Sequence, residues 1–96
     1  MDGVTITHTD QGDHGTYYAH VEGSRFIGRL EWSRRDNVRV VEHTVVPPEI
    51  GGRGIAGVLL DSLIADAREQ GFKIGPKCSY AAHKFAQHPE WNDLVG

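Results

Sequence analysis

The sequence predicts an α+β domain with a mixed sheet, and three observations carry that prediction. Residues 4–46 alternate in polarity and are broken by short turns, the pattern of an antiparallel meander. At Pro47-Pro48 the period changes, and after a glycine-rich loop the apolar residues recur at helical spacing. Gly71 then stops that helix, and a short apolar run, Phe72-Lys-Ile-Gly-Pro-Lys-Cys78, follows. A strand, loop, helix and strand in that order make the last strand parallel to the one before the helix. The 96 residues suffice for one core, so residues 1–96 are expected to be a single domain.

Each element has its own justification. Val4–Thr9 is β-branched and alternating, and Asp10–Gly15 is turn chemistry. Residues 16–22 place Tyr17, Ala19 and Val21 on one face and Tyr18, His20 and Glu22 on the other. Residues 25–33 do the same with Phe26, Leu30 and Trp32 against Arg25, Arg29 and Glu31, and Arg34–Asn37 reads as the next turn. Residues 38–46 are the most apolar strand and are expected to be central. From Ile55, the stripe Ile55, Leu59, Leu63 and Ala67 faces the core, with Asp61, Asp66, Arg68 and Glu69 on the wet side. Residues 72–78 are expected to form the fifth strand. Ser79 is placed to cap a second helix over about 79–88, ended by Pro89, and Trp91 and Leu94 should pack the tail.

Composition narrows the function. Hydrophobic residues are 39% and charged residues 24%, too apolar for disorder. The net charge is −3, and the two halves carry five basic side chains each against seven and six acidic ones. That even spread disfavours nucleic-acid binding. No apolar run approaches membrane-spanning length, and the Met-Asp-Gly start is unlike a secretory signal. One cysteine makes no internal disulfide, so a cytoplasmic location is expected. The histidines have no zinc-ligand spacing, and no metal is expected.

Three constellations carry chemistry. Gly51-Gly52-Arg53-Gly54-Ile55-Ala56-Gly57 lies between a strand and a helix start, where unpaired amides and the helix dipole suit a phosphate. Glycines let those amides approach the anion, and Arg53 adds a charge. A loop with glycines for turn geometry alone is the competing reading. Dinucleotide binding fails on context, because no acid stands about 20 residues on, and the Walker Gly-Lys-Ser/Thr is absent. Cys78 ends the fifth strand beside a helix start, a place that favours thiolate, although free cysteine is often a small buried hydrophobe. Glu42 and His43 adjoin on the fourth strand. Simple alternation puts His43 with Val41 and Val45, and Glu42 with Val40 and Thr44, so only one of the two would border a cleft as a base.

From about His43 to Val95 the chain resembles the Gcn5-related N-acetyltransferases, and within them the small single-domain YjdJ-type branch. The resemblance rests on Val46-Pro-Pro-Glu-Ile-Gly-Gly-Arg-Gly-Ile-Ala56 and on Cys78-Ser-Tyr-Ala-Ala-His-Lys-Phe-Ala-Gln-His-Pro-Glu-Trp91. It covers over half the chain. The superfamily loop reads Gln/Arg-x-x-Gly-x-Gly/Ala, and here Gly51 fills the first place, Gly54 the fourth and Ala56 the sixth. The resemblance implies that acetyl-CoA is the co-substrate. Its pantetheine arm would run along the backbone of Val45 and Val46, with its pyrophosphate on the amides of residues 52–56. It implies acetyl transfer to a primary amine, with His43 or Glu42 as base and Tyr80 or Cys78 as acid. Cys78 alternatively takes the acetyl group itself. The superfamily's helices between the first two strands are missing, so an open acceptor side is expected, in a monomer or weak homodimer. A non-catalytic acyl-CoA-binding module and a redox-sensing Cys78 are the rival functions.

Overall fold

Residues 2–96 are described by the computed structural model. The meander comprises β1 (Val4–Asp10), β2 (His14–Val21), β3 (Ile27–Arg35) and β4 (Val38–Val45), then α1 (Ile55–Gln70), β5 (Lys73–Gly75) and α2 (Ser79–Gln87). The sheet order is β1-β2-β3-β4-β5, antiparallel except for the parallel β4–β5 pair. The expected α+β architecture is therefore present. β4 is interior as expected, but the middle strand is β3.

The deviations from expectation are local. β2 begins at His14 rather than 16, because Gly15 pairs with Asp10 on one side and Trp32 on the other. Arg34 and Arg35 extend β3, so the turn is Asp36-Asn37, with Asp36 in the left-handed region at φ 54°. β5 shrinks to three residues, since Pro76 has no N–H to donate. Pro48–Ile50 forms a 3₁₀ turn that buries Ile50. Residues 89–94 form another, burying Leu94 while Trp91 is half-buried. Gly71 closes α1 as expected, with φ 80° and its N–H on the Ala67 carbonyl at 2.8 Å.

The core lies on one face of the sheet. Tyr17, Ala19, Val21, Leu30, Trp32 and Val41 pack against Ile55, Leu59, Leu60, Leu63, Ile64 and Ala67 of α1, and Ala81 and Phe85 of α2 join them. Strand residues on the opposite face, such as His20, Arg29 and His43, are exposed.

β4 carries a bulge. Glu31 pairs with His43 but Trp32 pairs with Val41, leaving Glu42 as an extra residue. Opposed residues share a face, so Val41 and Thr44 point to the helices with Trp32 and Leu30, and His43 points away with Glu31. The grouping of His43 with Val41, and of Thr44 with Glu42, is thereby corrected: the extra residue resets the two-residue alternation.

A buried polar network closes the far end of the core. Tyr17 donates to Asp66 at 2.5 Å, so Asp66 is not simply on the wet side of α1. The His8 ring stacks on Tyr17 at 3.9 Å and accepts from the Trp32 Nε1–H at 3.0 Å. Arg39, the one buried charged residue among those described, lies between the Trp32 ring (4.3 Å) and the Phe72 ring (4.1 Å) and reaches Asp10 at 3.3 Å. Such desolvated cation–π contacts contribute about 2 kcal/mol. They help offset the burial of Arg39, whose Nη1 has no partner among the described residues.

Burial, then the nearby Arg39 guanidinium, lower the His8 pKa from its ordinary value of 6.5. The unfolded chain thus binds this proton more readily than the fold does. The His8 contribution is complete above about pH 6.5 and is lost as the pH falls below it. His8→Leu should flatten the decline in urea midpoint between about pH 7 and 5. An unchanged slope would show that His8 does not titrate with folding.

Candidate functional site

Where β4 and β5 part, the sheet opens. They pair only through Val38–Val40 and Lys73–Gly75, and the last tie is Cys78 N–H to the Val41 carbonyl at 3.0 Å. Beyond it β4 runs on to Val45 while the other chain turns into α2. The glycine-rich loop follows the same end of β4. Gly52 and Gly54 have φ of 73° and 77°, conformations that L side chains rarely adopt. Gly54 caps α1 without a side-chain hydrogen bond, so the first-turn amides keep their hydrogen-bonding capacity. Gly51, Gly52, Arg53 and Gly54 are exposed, Ala56 is half-buried and Ile55 is buried. Val45 is exposed, and Val46 is half-buried against the core.

Cys78, not Ser79, caps α2. Its half-buried Sγ accepts the Ala81 N–H at 3.4 Å and lies 3.5 Å from the Thr44 hydroxyl. Thr44 was invisible as a site residue in the sequence, because only the bulge turns it towards the helices. Tyr80 lies two residues into α2, and its hydroxyl approaches the first turn of α1: a Cβ on Gly57 would be 3.6 Å from it. Burial first, then Asp61, raise the Tyr80 pKa, so the phenol keeps its proton at neutral pH.

On the bare face, Glu42 and His43 line one concavity of about 520 Å³ with His14, Thr16, Glu31 and Ser33. Adjacent residues were expected on opposite faces; the bulge brings both to one. Glu42 accepts from the Ser33 hydroxyl at 2.6 Å and from Lys77 Nζ at 2.9 Å. These bonds, Ser33 first, lower its pKa. Nothing in the sequence marks Lys77 or Ser33 as partners of Glu42, because each meets it only through the pairing of the strands. Among the described residues, no group of three or more histidine, cysteine or carboxylate side chains is placed to hold a metal ion. No helix there is long and apolar enough to cross a membrane.

The sheet is thus mixed and splits between strands four and five, with a glycine-rich helix start at the split. Residues 16–94 match the family model of the GCN5-related N-acetyl-transferases, and the chain belongs to that family. A GCN5-like protein from Staphylococcus aureus, solved by NMR, superposes with a TM-score of 0.74 at 25% identity, covering 100% of this chain and 91% of that one. A GNAT family acetyltransferase from Elizabethkingia anophelis, crystallised with acetyl-CoA bound, superposes with a TM-score of 0.67 at 17% identity, covering 93% of this chain and 76% of that one. A search of curated proteins finds no match.

Proposed function

We propose that this single domain transfers the acetyl group of acetyl-CoA to a primary amine. The observation that carries the reading is the uncapped, glycine-rich start of α1 beside the β4–β5 split, in a chain of this family. The amides of residues 52–56 take the pyrophosphate, and the backbone of Val45 and Val46 takes the pantetheine arm. Placing the amine against the thioester removes much of the entropic cost of the reaction. His43 is the better base, because Glu42 is already bonded to Ser33 and Lys77 and holds its proton weakly. Glu42 then serves as an anion that attracts the incoming ammonium. Cys78 is the main active-site side chain, as acid or as transient acetyl carrier, and the protonated Tyr80 phenol is a second donor for the departing thiolate. Cytoplasmic acetyl-CoA would be its source.

Gly54→Val tests the cofactor half of this reading. A branched side chain at φ 77° is strained and stands where the phosphate approaches, so folding is verified first by circular dichroism. CoA affinity should fall by about 1–3 kcal/mol, the worth of one or two charge-assisted hydrogen bonds. Arg53→Ala should cost less. Unchanged affinity in folded Gly54→Val would remove the loop from the site.

The Ser33 and Lys77 bonds that Glu42 already holds also favour a second reading, an acyl-CoA-binding module without a working base. Acetyl-CoA with a panel of amines separates the two. Release of CoA above the hydrolysis background supports the enzyme, and binding without release supports the module.

A further inference from the structure

Glu42, at the edge of the concavity beside the β4 bulge, is already paired with a primary amine of the chain itself. Lys77 Nζ lies 2.9 Å from Glu42 Oε1. The residue precedes Cys78 at the point where β4 and β5 separate, and its side chain is 68% exposed, free to swing about that carboxylate. The chain has only three lysines. Lys73 donates to the Asp93 carbonyl at the end of the sheet away from the loop, and Lys84 lies on α2 with its Nζ 6.0 Å from the Tyr80 ring. Only Lys77 is seated on the acidic group of the bulge.

We propose that Lys77 is an internal acetyl acceptor, modified by the chain's own bound acetyl-CoA. This rests on the acetyltransferase reading above. The neutral Nζ attacks the thioester carbonyl carbon. An N–C bond forms, the C–S bond breaks, the nitrogen gives up a proton to His43 or water, and CoA leaves as the thiol after taking up a proton. The product is a neutral amide. It no longer pairs with Glu42, whose carboxylate becomes available to a cationic amine from outside. Acetylation of Lys77 thus primes the site and marks lysine-like amines as its acceptors.

Incubating the full chain with acetyl-CoA and following each lysine by peptide mass spectrometry tests this. Lys77 should be acetylated at least about tenfold faster than Lys73 and Lys84, as tethering predicts. The label should resist hydroxylamine, and its first-order rate should not depend on protein concentration. Lys77→Arg should abolish it, and Glu42→Gln should slow it. Equal rates at the three lysines, a hydroxylamine-labile label only, or a rate that rises with protein concentration would overturn the proposal. An external amine is assayed alongside. If it is acetylated while Lys77 is not, the self-modification alone falls. If CoA neither binds nor acetylates any amine, the acetyltransferase reading falls with it.

Discussion

Replacing Cys78 by alanine should leave CoA affinity nearly intact and lower acetyl transfer by at least about tenfold, a threshold set below the range of about 10²–10⁴ that a lost acid–base group produces. The structure sharpens this test, because the same thiol also caps α2 and touches Thr44. Alanine removes the cap as well as the chemistry and should cost about 1 kcal/mol of stability. Serine separates the two roles. Its hydroxyl is the better cap, so Cys78→Ser should be at least as stable as the parent. Its pKa is far above that of a thiol, so it should be nearly as poor in turnover as alanine if the group acts as acid or nucleophile. Acetyl-CoA turnover and thermal melts on both variants decide the matter. Full turnover in both would leave Cys78 with a purely structural role.

The largest effect on stability is expected from one methyl group. Gly15 lies in β2 under the Trp32 ring, and a Cβ there would fall 2.5 Å from the Thr9 carbonyl oxygen and closer still to the indole. The carbonyl belongs to the β1–β2 ladder and cannot step aside. The indole is fixed by His8 on one side and Arg39 on the other. Overpacking of this kind costs about 1–3 kcal/mol, occasionally more. With neither neighbour able to yield, the cost lies at the upper end, about 3 kcal/mol, and Gly15→Ala should lower the melting temperature by about 12–24 °C. A shift of only a few degrees would mean that the indole relocates freely and that the network around Arg39 is soft.

The elements that were legible in the sequence are those whose cause is local. Alternation over Thr16–Val21 fixed which side of β2 is buried, and Gly71 marked the end of α1 from its own conformational freedom. The missed features depend on partners far along the chain. Nothing in Val41-Glu42-His43 marks a bulge: no glycine or proline stands there, and the extra residue is visible only through its pairing with Glu31 and Trp32. That single unseen residue misassigned both candidate bases to opposite faces and hid Thr44. Arg39 reads as an exposed charge within an apolar strand, and only Trp32 and Phe72 together make its burial tolerable. Lys77 reads as a strand residue until Pro76 ends β5 before it. The glycine-rich loop and the position of Cys78 were legible because glycine and cysteine act there through the backbone and helix end next to them.

The three-residue pairing of β4 with β5 has a consequence for how the molecule assembles. Neighbours in the meander are joined by short hairpins and can zip in sequence, whereas β5 has to wait for the whole of α1 before it docks. Its ladder then spans only Val38–Val40 and Lys73–Gly75. That seam is the strand pairing with the fewest backbone bonds in the sheet, so its ladder resists local opening least. A ligand lying across that seam, held by the loop on one side and α2 on the other, would favour the closed form over the open one by mass action. With the cofactor so placed, its recognition and the completion of the fold would be one equilibrium.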